Sequence, residues 1–201
     1  MKATFIDWHN TLSTGRFWAH RSDSRLSATD LQEVERFVFG SPSLTRVWMT
    51  GVLGAEQVCR IAAKNLGLPS DDILADLKTS CEAMELYDPL VVEPIRALGE
   101  RGVKTVIATD NMDAFTRWTV PVLNLDAIFE QVLNSADVGM RKRNPPFFRN
   151  WLEQHEVEPN EAFLLDDRVG PYRRSGMALW PVVHPSLLAH VLGEVSKFVE
   201  T

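Results

Sequence analysis

Asp7, Thr109 and the pair Asp166-Asp167 share a setting: each directly follows a short apolar run, at residues 3–6, 103–108 and 161–165. Lys142 lies in the loop and turn beyond a weaker run at 130–133. Together these side chains amount to a nucleophile, a hydroxyl donor, a cation and cation-binding carboxylates. Singly they have plain readings, since a strand-end Asp is usually a cap or turn residue and a Lys a solvated charge. In an open parallel sheet, however, ligands bind beyond the carboxyl ends of the strands. If the runs are strands of one such sheet, these residues gather on one edge.

The elements around them support that sheet. With a fifth run at 177–183, short apolar segments bounded by polar residues fit buried parallel strands. Helical periodicity separates them. Residues 89–101 put Val91, Val92, Ile95 and Leu98 on one face, with Gly102 as a stop. Residues 145–155 do the same with Phe147, Phe148, Trp151 and Leu152. Residues 185–199 group Leu187, Leu188, Val191, Leu192, Val195 and Phe198 behind Pro185. This alternation implies crossover units with helices on both faces. Residues 15–88 show no strand but three helical patterns, at 27–39, 55–66 and 71–86, and are too long for a loop. The expected organisation is an α/β catalytic core from residues 1–14 and 89–201, with a small all-helical cap at 15–88. The core is expected to be a Rossmann-like three-layer sandwich around a central parallel sheet of about five strands.

Composition narrows the setting. The chain has 201 residues, 45% hydrophobic and 24% charged, which is ordinary for a globular protein with a proper core. A formal net charge of −6 argues against nucleic acid or an anionic membrane as partner and leaves a small molecule. No apolar run approaches bilayer-spanning length, and MKATFIDWHN meets Asp7 and His9 too early for a secretory signal, so the expected location is cytoplasmic. Cys59 and Cys81 lack metal-ligand or redox spacing and read as buried thiols in a reducing compartment. Trp8 and Trp180 read as core or wall, and His155, His184 and His190 as surface or structural residues.

Four segments, FIDWHNTL, VIATDN, GMRKRNPPFF and AFLLDDRVGPYRRSGM, carry a resemblance in order and spacing. They resemble the motifs of the haloacid dehalogenase (HAD) superfamily of aspartate-nucleophile hydrolases, many of which carry a cap where residues 15–88 stand. The resemblance implies a Mg²⁺-dependent phosphatase that turns over a small phosphorylated metabolite through an aspartyl-phosphate on Asp7. It implies that Asp7, the main-chain carbonyl of His9 and Asp167 hold the Mg²⁺. Thr109 would hold a phosphate oxygen, and Lys142 would neutralise nucleophile and substrate together. Asp166 is implied either as a water-mediated metal contact or as an orienting partner of Lys142, and which acid binds the metal directly stays open. Asp110, Asn111 and Arg16 are candidate substrate contacts, with a solvated linker the plainer reading for Arg16.

Two departures bear on the reaction. His9 stands where the family has a second Asp that protonates the leaving group and activates water, which leaves open whether the imidazole takes that acid–base role or shapes the pocket. The segment Arg168-Val169-Gly170-Pro171-Tyr172 lacks the further acid that often follows the fourth motif. Three alternatives follow. A haloacid dehalogenase would not need Asp166-Asp167, since that subgroup works without metal. A phosphonatase would need a cap lysine, and only Lys64 and Lys78 are available. A catalytically weak or dead ligand-binding member would fit His9 and the shortened fourth motif.

Overall fold

The computed structural model describes residues 1–197. β1 (Ala3–Ile6) is followed by four helices, α1 (Ala28–Phe39), α2 (Pro42–Met49), α3 (Ala55–Leu66) and α4 (Ser70–Glu82). α5 (Val92–Glu100) leads into β2 (Lys104–Thr109). A π-helical turn at Phe115–Thr119 and the single turn α6 (Val120–Val122) then lead to β3 (Gln131–Asn134). The short turn α7 (Ser135–Val138), α8 (Pro146–Gln154), β4 (Ala162–Asp166), β5 (Ala178–Pro181) and α9 (Leu188–Lys197) complete the described part.

The five strands form one parallel sheet in the order β3-β2-β1-β4-β5. β1 is central and fully buried, as a strand covered on both faces must be. Its Ile6 pairs with Ile107 on one side and Leu165 on the other. Alternation along the strands divides the core. Phe5, Val106 and Leu164 face Phe148, Trp151 and Leu152 of α8, with Phe5 edge-on to Phe148 and Trp151 at about 5 Å. Ile6, Ile107 and Leu165 join the opposite cluster with Ile95 and Leu98 of α5 and Val191 and Leu192 of α9. Helices on both faces fix the sheet, and the register leaves Asp7 and Asp166 side by side beyond the paired Ile6 and Leu165.

Local chemistry sets the helices. The Ser27 side chain accepts from the Asp30 N–H to start α1, and Ser41 followed by Pro42 starts α2. α2 was absent from the sequence reading although Ser41-Pro42 marks its start. α4 stops at Glu82, short of the expected 86, because the chain turns back to the sheet. There the Tyr87 N–H donates to the Leu12 carbonyl, and the Ser13 hydroxyl donates to the Glu85 carbonyl. At the other end of the insertion Trp18 is buried with a φ of 51°. Its indole N–H donates to the Ile73 carbonyl and its backbone N–H to Ser80. Pro185–Leu187 forms a 3-10 turn ahead of α9, and Phe198 and Val199 of the expected helix lie outside the described residues.

Candidate active site

Lys142 is the centre of the constellation. It is 4% exposed, and its Nζ lies 2.7 Å from Asp7 Oδ1 and 2.7 Å from Asp166 Oδ2. Asp7 is fixed by its place at the end of the central strand, where its N–H donates to the Leu165 carbonyl at 2.9 Å. Asp166 accepts the Arg168 N–H on its other oxygen at 2.7 Å, so this carboxylate is oriented on both sides. Asp110 aims the lysine: its Oδ1 accepts the Lys142 N–H at 2.7 Å, while its Oδ2 accepts from Arg141 Nε at 2.9 Å. Of three consecutive cations, Lys142 therefore points inward, Arg141 is spent on Asp110 and Arg143 is exposed.

Burial pushes the Asp7 carboxyl up to about 6, with Lys142 pulling it down and Asp166 pushing it further up. At neutral pH it remains a carboxylate. Burial also works against the Lys142 ammonium, yet Asp7 and Asp166 outweigh it and hold the lysine above its ordinary value. A buried charged triad is the result.

Asp7, Asp166 and Asp167 each offer a carboxylate oxygen, and these oxygens lie within 4.8 Å of one another. Asp167 is half-buried and lies 3.5 Å from Asn10 Nδ2 and 3.6 Å from Arg168 Nε. This all-oxygen donor set fits a hard divalent cation. Among the described residues, the buried Thr109 hydroxyl has no hydrogen-bond partner, and neither have Trp8 Nε1 and Thr11 Oγ1. A buried donor without an acceptor, one strand away from a carboxylate cluster, fits an anionic oxygen brought by a ligand.

The other expected residues surround this centre. His9 is exposed in a tight turn where the Asn10 N–H donates to the Ser13 carbonyl and Asn10 takes a φ of 59°, a conformation Asn tolerates. Partial desolvation holds the imidazole below its usual value, against the pull of Asp167 and with the help of Arg168 and Arg16. Arg16 makes a bidentate pair with Glu35 at 2.6 and 2.7 Å. Asn111 is buried, its side chain accepting the Met112 N–H and its own N–H donating to Ser135. Tyr172, which no sequence signal marked, packs its ring 5.8 Å from the Lys142 ammonium.

Two cavities flank the triad. One of about 450 Å³ lies between the helical insertion and the loops after β1 and β2. A larger one of about 690 Å³ lies beyond Lys142, between α8 and residues 171–175, and none of the three acids lines either cavity.

A family model for haloacid dehalogenase-like hydrolases matches residues 64–170. The chain is 27% identical over 131 residues to bifunctional epoxide hydrolase 2 of Rattus norvegicus, and 28% identical over 132 residues to that of Sus scrofa. Each match covers 61% of this chain and 24% of the relative, so the chain spans about a quarter of the curated relatives it matches. A HAD family enzyme of Bacteroides thetaiotaomicron, solved in complex with magnesium and inorganic phosphate, has a TM-score of 0.66 at 14% identity, covering 90% of this chain and 93% of that one. The L-2-haloacid dehalogenase of Xanthobacter autotrophicus has a TM-score of 0.66 at 18% identity, covering 99% and 84%. A HAD-like family hydrolase of Porphyromonas gingivalis reaches 0.73 at 14% identity, covering 97% and 98%. The structural likenesses show a shared fold.

Proposed function

The chain belongs to the haloacid dehalogenase-like hydrolase family, and from that premise we propose that it is a Mg²⁺-dependent phosphatase of a small phosphorylated molecule. The observation that carries this reading is the convergence of three carboxylates on one cation-binding point with Lys142 wedged between two of them. Asp7 attacks phosphorus and the bond to the ester oxygen breaks, the alcohol leaving with a proton from solvent, and an aspartyl-phosphate forms; water then attacks it, releases phosphate and restores the carboxylate. Lys142 stays charged throughout and neutralises nucleophile and phosphoryl oxygens together. The unpartnered Thr109 hydroxyl donates to one of those oxygens. His9, whose imidazole desolvation holds below its usual value, takes the proton of the attacking water. Asp7, Asp167 and the main-chain carbonyl of His9 would hold Mg²⁺, which when bound supplies charge neutralisation at the phosphoryl group.

The same cluster weighs against a haloacid dehalogenase, whose chemistry uses no metal. Helices α1–α4 serve in this reading as the cap over the site. The buried free thiols Cys59 and Cys81 support a reducing, cytoplasmic setting. A panel of phosphate monoesters, assayed with Mg²⁺ and with chelator and with Asp7→Asn as the blank, tests it. Phosphate release that needs the metal and Asp7 is expected. Turnover that persists in chelator, or its absence across the panel, would overturn the assignment.

A further inference from the structure

The cavity of about 450 Å³ has a floor made by residues that directly follow Asp7 and Thr109, namely Trp8, His9 and Asn10 on one side and Asp110, Asn111 and Met112 on the other. A phosphate ester held at Asp7 has this cavity as its next enclosed space. The walls from the insertion are Phe17, Phe39, Met49 and Met84. Several of the polar groups that could read hydroxyls are already engaged, which leaves the Trp8 indole N–H, His9 and Thr14. Arg16 and Glu35 close on each other, Asp110 holds Lys142 and Arg141, and Asn111 caps the Met112 N–H. Buried hydroxyls of a sugar would find few partners there, and each one left unpaired would weaken binding. Methionines, by contrast, mould themselves to varied apolar shapes.

We propose that the substrate is a phosphate monoester of an apolar alcohol, alkyl or aryl, whose hydrocarbon part fills this cavity. The inference rests on the phosphatase reading for the position of the phosphoryl group. Its test is calorimetric binding of straight-chain alkylphosphonates, from methyl to octyl, to the wild-type protein with Mg²⁺, beside turnover of the matching alkyl phosphates and of a hexose phosphate. Affinity should rise roughly threefold to fourfold per methylene until the cavity is full. Met49→Gln, at a half-buried wall position, should flatten that slope, and the slope rather than the affinity of the methyl compound is the readout. Affinity independent of chain length, or preference for the hexose phosphate, overturns the inference while hydrolysis itself leaves the phosphatase reading standing. Chain-length-dependent binding without hydrolysis of any ester does the reverse. Failure of every phosphonate to bind, with no ester hydrolysed, overturns both.

Discussion

At Asp7 reactivity and stability pull against each other. The residue is 6% exposed, and burial lifts its carboxyl from 3.8 to about 6. Because the folded-state value lies above the unfolded one, the folded protein binds this proton more tightly. Ionising Asp7 therefore costs stability, with the cost growing from about pH 4 and complete above about pH 6, where it amounts to about 3 kcal/mol. Asp7→Asn should accordingly abolish turnover yet raise Tm by several degrees at pH 7.5 in chelator, with the gain fading towards pH 4. Calorimetric scans across pH check this, and a Tm below wild type at every pH would show that the pair with Lys142 outweighs burial. Asp167 contributes differently, since it lies outside the Lys142 triad. Asp167→Ala should weaken Mg²⁺ binding roughly tenfold or more, because even outer partners of a metal are worth that much. Unchanged calorimetric binding would remove it from the metal set. The choice among Arg141, Lys142 and Arg143 was not legible from their own neighbourhood, because a carboxylate on another loop, Asp110, makes it.

Elements were legible where burial and period coincide. All five strands follow from their apolar runs, β1 with the same bounds and the other four with bounds that move by a residue or more, as pairing reaches polar ends such as Thr109 and Asp166. The stretch after β2 had no such signal. Pro121 has no N–H for a regular helix, and a π-helical turn at Phe115–Thr119 precedes it instead. That stretch also carries the joint with the insertion. Asp113 accepts from Trp48 Nε1 at 2.6 Å and from the Ala55 N–H at 3.2 Å, and Arg117 pairs with Glu56 at 2.7 Å. Gly51, at a φ of 67°, packs so tightly that a Cβ would stand 2.2 Å from the Ala136 carbonyl oxygen. Asp113→Ala leaves two donors without their acceptor, at about 1–3 kcal/mol for each that stays buried. Amide exchange in α2 and α3 should then speed up while the sheet stays protected. A uniform rise across the chain would mean that the joint is not a local one.

Across the whole molecule the helical insertion and the sheet share one apolar cluster. It runs from Ile6, Ile107 and Leu165 through Trp8, Met112 and Phe115 to Trp48, Val58 and Leu77. Periodicity grouped Leu31 with Val34 and Val38, and Ile73 with Leu77 and Cys81, on single helix faces that are indeed buried, but it could not show what they would pack against, because those partners lie on distant stretches of the chain. A shared core predicts one cooperative unfolding transition, with near- and far-ultraviolet circular dichroism coinciding. Two separated transitions would mean that the insertion has a core of its own.

The central place of β1 also governs how the chain can be made. Its partners begin at Lys104 and Ala162, so β1 leaves a ribosome ahead of both and gains its second neighbour only after β4 has been synthesised. At about 5–20 residues per second that interval is roughly 8–30 s, during which one edge of Ala3–Ile6 lacks its neighbour. Non-local parallel pairing of this kind closes slowly even once all the residues are present. Nascent chains arrested before residue 162 should therefore leave Phe5 open to proteolysis, and chains arrested well beyond β4 should protect it. The residue that carries the chemistry is thus translated well ahead of the strands that enclose it.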